Sequence, residues 1–125
     1  MKILVIDDSA VMRRIHINLL KEIGFPPESI LEAENGEVAL KRCIDNEVKL
    51  FLLDWNMPRL NGLEFTKKIR AIEHYKSVPI IMVTSEAAKY NVVEAIKAGV
   101  TNYVVKPIKS DVLIEKISKY IKIGK

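Results

Sequence analysis

Residues 50–54 read Leu50-Phe51-Leu52-Leu53-Asp54, four apolar side chains in a row closed by a carboxylate. A short apolar run without polar alternation is the pattern of a strand buried on both faces, as in a parallel sheet. Working outward, four further runs share it: Ile3–Ile6, Ile30–Ala33, Ile80–Val83 and Tyr103–Val105. The stretches between them carry helical spacing instead. Met12, Ile15, Leu19 and Ile23 step by three and four, as do Phe65, Ile69 and Ile72, and Leu113, Ile117 and Ile121. Ala39, Leu40 and Cys43, and Val93 with Ile96, mark two shorter helices. Gly24 and Gly99 stand where helices should stop, and Pro58 and Pro79 fall in a loop and ahead of a strand. Strand and helix alternate five times, which predicts an α/β fold: a single doubly wound, five-stranded parallel sheet with five helices over its two faces.

Composition sets the outer limits. With 125 residues, 49% hydrophobic and 29% charged, the chain suits one globular domain over residues 1–125, with no linker, tail or repeat left over. Cys43 is the sole cysteine, so neither an internal disulfide nor a cysteine zinc site can form, and a reducing cytoplasm is expected. The opening apolar run ends at Asp7-Asp8, too early for a signal peptide, and no run approaches bilayer-spanning length. Membrane insertion is not expected. The net charge is +4, and residues 106–125 hold six lysines against Asp111 and Glu115. The basic character therefore belongs to the last helix, as a solvated face or a docking face for an acidic partner. Little arginine clustering and no binding module argue against nucleic acid.

The predicted architecture locates the site. In open α/β sheets, sites form beyond the carboxyl ends of the strands, where strand order reverses. The residues just after the apolar runs are Asp7-Asp8, Glu34-Asn35, Asp54, Thr84-Ser85 and Lys106. If the first and third strands are neighbours, Asp7, Asp8 and Asp54 meet in one cleft. Two unit charges about 4 Å apart repel by about 4 kcal/mol at an effective dielectric of about 20. A divalent cation relieves that repulsion, and an all-oxygen site suits magnesium. Lys106 adds positive charge and Thr84 a hydroxyl donor. Together these are the parts for phosphoryl transfer to a carboxylate, with Asp54 as nucleophile. Taken singly, each has a plainer role: Asp8, Ser9 or Thr84 as a helix cap, Lys106-Pro107 as a loop.

Asp7-Asp8, the stretch Asp54-Trp55-Asn56-Met57-Pro58-Arg59-Leu60-Asn61-Gly62, Thr84 and Lys106-Pro107, taken in this order, resemble the receiver domains of two-component signalling, most closely those of the chemotaxis type. The resemblance spans the whole chain. It implies the flavodoxin-like strand order 2-1-3-4-5. It further implies Asp54 as phosphoacceptor and Asp8 as a direct magnesium ligand, with Asp7 acting through water and the Asn56 backbone carbonyl as another ligand. Lys106 would contact the phosphoryl group ahead of a cis bond to Pro107, and Thr84 and Tyr103 would form the switch. Asn56 and Glu86 match the positions that tune phosphoryl lifetime.

The same likeness implies a stand-alone, monomeric signalling protein. It would catalyse only its own phosphorylation and dephosphorylation and carry no separate output domain. A histidine kinase would be its phosphodonor, with the flagellar motor switch and a phosphatase as partners. Its output face would be the fourth helix, fifth strand and fifth helix, through Lys89, Val92, Ile96, Tyr103, Val105, Lys116 and Lys119. Ile108 and Ile96 depart from the aromatic and small residues usual there, which bears on the partner and not on phosphorylation. A phosphorelay intermediate or a phosphate sink is the alternative within the family. A haloacid-dehalogenase-like phosphatase is a distant one, because Asn56 stands where its general acid would be. No glycine-rich phosphate loop exists for a nucleotide enzyme. Trp55 reads as a partly exposed neighbour of the site, Cys43 as a buried helix thiol, and His16 and His74 as surface residues.

Overall fold

The computed structural model describes residues 2–55, 61–85 and 92–121. Five strands, β1 (Lys2–Ile6), β2 (Ile30–Ala33), β3 (Val48–Asp54), β4 (Ile80–Thr84) and β5 (Asn102–Val105), alternate with five helices. The helices are α1 (Ala10–Glu22), α2 (Gly36–Asp45), α3 (Gly62–Arg70), α4 (Val92–Ala98) and α5 (Ser110–Ser118). All strand pairs are parallel, in the order β2-β1-β3-β4-β5. Fold class and strand order are those expected.

Side-chain alternation divides the strands between two cores. Leu4, Ile6, Phe51, Leu53 and Met82 face α2, α3 and α4, meeting Ala39, Phe65, Ile69 and Ala95. Ile3, Val5, Leu52, Val83 and Val104 face α1 and α5, meeting Leu20, Leu113 and Ile117. Burying each of the larger side chains contributes about 1.5–3 kcal/mol. Helix starts are fixed by local chemistry. Ser9, Asn35 and Asn61 each accept a hydrogen bond from the backbone N–H three residues on, at 3.2, 2.9 and 3.0 Å. Gly24 and Gly99 take φ of 121° and 124° just past helix ends, as their placement in the sequence suggested.

Two helices differ from their expected faces. In α1 the buried positions are His16 and Leu20, and Ile15 is half exposed. The inward face is turned by one residue, because a histidine occupies a core position that hydrophobic periodicity does not count. In α4 the buried residue is Ala95, while Val93 and Ile96 lie exposed. Ala95 joins the core beside α3, and the larger Val93 and Ile96 are left toward solvent.

Candidate functional site

Strand order reverses at β1, whose neighbours are β2 and β3, and the site lies beyond the carboxyl ends of β1 and β3. Asp7 follows β1 and is held firmly. Its N–H donates to the Ala33 carbonyl at 3.1 Å, and its own carbonyl accepts from the Arg13 guanidinium at 2.8 Å. Arg13 is in turn paired with Glu32 at 2.8 Å. Asp7 Oδ1 accepts from the Ser9 N–H at 2.9 Å, whereas Oδ2 is buried without a hydrogen-bond partner among the described residues. Asp54 ends β3 and is 6% exposed; Asp8 is exposed. One carboxylate oxygen from each of Asp7, Asp8 and Asp54 lies within 4.8 Å of the others.

Positive charge enters from the far side of the sheet. Lys106 follows β5, its N–H bound to the Thr84 carbonyl at 2.8 Å, and its Nζ stands 3.6 Å from Asp54 Oδ1. The Lys106–Pro107 bond is cis, as the resemblance implied. Thr84 closes β4, buried, with its hydroxyl only loosely engaged by the Ser85 carbonyl at 3.4 Å. Thr84 and Tyr103 belong to neighbouring strands, and their register partners Val105 and Met82 put all four on one face of the sheet. The donor set fits a hard divalent cation: three clustered carboxylates and one buried oxygen left unsatisfied.

The expected residues Asp7, Asp8, Asp54 and Lys106 thus come together, and Thr84 ends β4, the strand next to β3, with its carbonyl bound by the Lys106 N–H. Asn56, Glu86 and Lys89 lie outside the described residues. On the proposed output face, Val92, Tyr103, Val105 and Lys116 are half-buried, and Ile96 and Lys119 exposed. Tyr103, Val105, Lys109, Val112 and Lys116 line a groove of about 430 Å³. Ile108 lines it too, and packs on the α1–α5 core.

Two side readings are corrected. Trp55 is 5% exposed, not partly exposed, because Gly62 leaves room for its ring. A Cβ at 62 would fall 2.7 Å from Trp55 Cε3 and 2.9 Å from its Cα. His16 is 2% exposed and its Nε2 has no partner among the described residues. Burial lowers its pKa and Lys106 lowers it further, against the opposing pull of Asp7, so it lies within electrostatic reach of the site. His74 is a surface residue as expected, 3.3 Å from Glu47. Cys43 is half-buried, its thiol pushed up to about 11 by burial, which leaves little thiolate at neutral pH. Sequence reasoning also passed over Arg13, held by the Asp7 carbonyl and Glu32, and Arg70, held chiefly by backbone carbonyls, since no motif encodes such long-range partners.

The response regulator receiver domain family matches residues 3–118. The chain is 50% identical over 125 residues to a chemotaxis protein CheY homolog of Campylobacter jejuni, covering 99% of this chain and 95% of the relative. Its fold matches the structure of chemotaxis protein CheY4 of Vibrio cholerae with a TM-score of 0.86 at 29% identity, covering 96% and 98% of the two chains. A second structure is the receiver domain of the sensor histidine kinase PA1611 from Pseudomonas aeruginosa, with a magnesium ion coordinated in the active site cleft. It matches with a TM-score of 0.84 at 26% identity, over 95% of each chain. With the acidic cluster, the apposed lysine and near-full-length identity of this order, the chain belongs to the response regulator receiver domains and is of the CheY-like chemotaxis type.

Proposed function

We propose that this protein is a phosphoacceptor switch that takes a phosphoryl group from a histidine kinase onto Asp54, in the cytoplasm, with magnesium as its metal. One observation carries the reading: three carboxylate oxygens within 4.8 Å of one another, with the Lys106 ammonium 3.6 Å from Asp54. The unsatisfied Asp7 Oδ2 and the magnesium held by the receiver domain of PA1611 support the metal. Asp8 and Asp54 would hold it directly and Asp7 through water, with the Asn56 carbonyl as a further ligand. Bound there, magnesium supplies positive charge opposite the phosphoryl oxygens.

The chain's own residues do the rest. An Asp54 carboxylate oxygen attacks phosphorus, and the P–N bond of the donor phosphohistidine breaks. The electron pair leaves on the imidazole nitrogen, which is protonated. Lys106 neutralises developing charge on the phosphoryl oxygens, and the Thr84 hydroxyl, weakly committed at 3.4 Å, is available to donate to one of them. Thr84 and Tyr103 share a sheet face, so movement of Thr84 toward the phosphoryl group frees space for the Tyr103 ring and reshapes the α4–β5–α5 face. The Tyr103–Lys116 groove and the surrounding lysines suit an acidic partner segment, which in chemotaxis is the flagellar motor switch.

The test is intact mass after incubation with magnesium and acetyl phosphate. The parent should gain one phosphoryl group; Asp54→Ala, and the parent without magnesium, should gain none. A folded parent that gains none from acetyl phosphate or from a histidine kinase would overturn the reading. Tightened binding to an acidic motor-switch peptide on phosphorylation marks an effector. Rapid back-transfer to a histidine phosphotransfer domain marks a relay or sink.

A further inference from the structure

Lys116 belongs to α5, on one side of the sheet. Tyr103 packs on the opposite side, in register with Met82 and against its core cluster. Lys116 reaches around the edge strand β5 and places its ammonium 5.0 Å from the centroid of the Tyr103 ring. That placement is imposed. Lys116 Nζ donates to Asn102 Oδ1 at 3.0 Å, and the same oxygen accepts from the Tyr103 backbone N–H at 2.8 Å. The other end of the Asn102 amide donates to the Tyr120 hydroxyl at 3.1 Å. With its amide group held at both ends, Asn102 presents its oxygen where the ammonium must sit to face the ring.

We propose that Lys116 is a latch that retains the Tyr103 ring at the groove by a cation–π contact, with Asn102 and Tyr120 as the positioning residues that aim it. This rests on the reading of Tyr103 as the switch residue. The ammonium is attracted to the negative face of the ring, an interaction that weights a two-position ring by about two- to five-fold at a partly exposed site. Lys116 also lines the groove. A carboxylate of a docking segment would compete with the ring for the same ammonium. Docking and release of Tyr103 would then favour each other, as linkage requires.

The experiment uses the unphosphorylated full chain with ring-labelled tyrosine, Tyr103 assigned through Tyr103→Phe. Lys116→Met keeps the length and packing of the stem and removes the charge. The nuclear Overhauser contact between the Tyr103 ring and the Thr84 methyl should strengthen, reporting a two- to five-fold shift toward Thr84. Asn102→Ala should shift it the same way, and Lys116→Arg should restore the parent pattern. An unchanged Tyr103 signal in Lys116→Met would overturn the latch, as would a Lys116→Arg protein that behaves like Lys116→Met. No phosphorylation is involved. If Asp54 takes no phosphoryl group yet Lys116→Met moves the ring, the functional reading falls and the latch stands; the converse pair of results separates them the other way.

Discussion

His16 carries a polar ring into a position that α1 otherwise reserves for hydrocarbon, and two consequences follow from that single side chain. Its Nε2 is buried without a partner among the described residues, and its pKa is lowered from 6.5, chiefly by burial. An unfolded chain protonates this histidine as pH falls below about 6.5, while the folded protein resists the proton. Unfolding is therefore favoured as pH drops from 6.5 toward the lower folded value. Urea titrations should show His16→Leu more stable than the parent by about 1 kcal/mol at pH 7, where a lone buried polar atom is removed. The margin should widen at pH 5.5, since the mutant lacks this part of the pH slope. Gly62 gives a second test. A Cβ there would press on Trp55 Cε3 at 2.7 Å and on the Trp55 backbone at 2.9 and 3.0 Å, so turning the ring cannot relieve it. Gly62→Ala should cost about 2 kcal/mol in denaturant midpoint analysis and change Trp55 fluorescence, since overpacking shifts the neighbour.

Elements are tied together here by an arginine. Arg70, at the end of α3, donates to the Gly99 carbonyl through Nε at 3.0 Å and through one terminal nitrogen at 2.8 Å. Its other terminal nitrogen reaches the Tyr75 and Val78 carbonyls, both at 2.7 Å. It thus joins the end of α3, the approach to β4 and the turn between α4 and β5. Arg70→Met would leave three carbonyls without this donor and should lower stability by about 2–3 kcal/mol. Hydrogen exchange should locate the loosening in the α4–β5 turn. Gly99 completes the joint with φ of 124°, and its missing Cβ makes room for Arg70 Cγ, 2.9 Å from where that atom would be. Placing α4 matters because it carries Val92 and Ile96 of the proposed output face.

At the scale of the molecule, the parallel order β2-β1-β3-β4-β5 carries three carboxylates to one end of the sheet and sets the Lys106 ammonium against Asp54. Such a cluster opposes folding until a cation neutralises it. Magnesium at ten times its dissociation constant should raise stability by about 1.4 kcal/mol. Thermal unfolding should show that gain in the parent, its loss on chelation, and its absence in Asp7→Asn. Among the described residues no helix is long and apolar enough to cross a membrane.

The order of elements, and the gathering of Asp7, Asp8, Asp54 and Lys106 at the carboxyl ends of the strands, were legible in the sequence. The reason is that each follows directly on a short apolar run, and runs buried on both faces announce themselves in one dimension. The helix faces were less legible. Ile15 and His16 differ by one step of helical rotation, and hydropathy assigns the core position to the wrong one. Trp55 needed Gly62 and α3 to be packed before its burial could be known. Arg70 and the chain Tyr120–Asn102–Lys116–Tyr103 were not legible at all. Their partners are backbone carbonyls, an amide and a ring face brought together across the fold, and contacts of that kind leave no periodicity or motif. Local composition determined where the strands lie and what chemistry their ends hold; only the tertiary structure decided which side chains are fixed around that site, because long-range proximity is a property of packing.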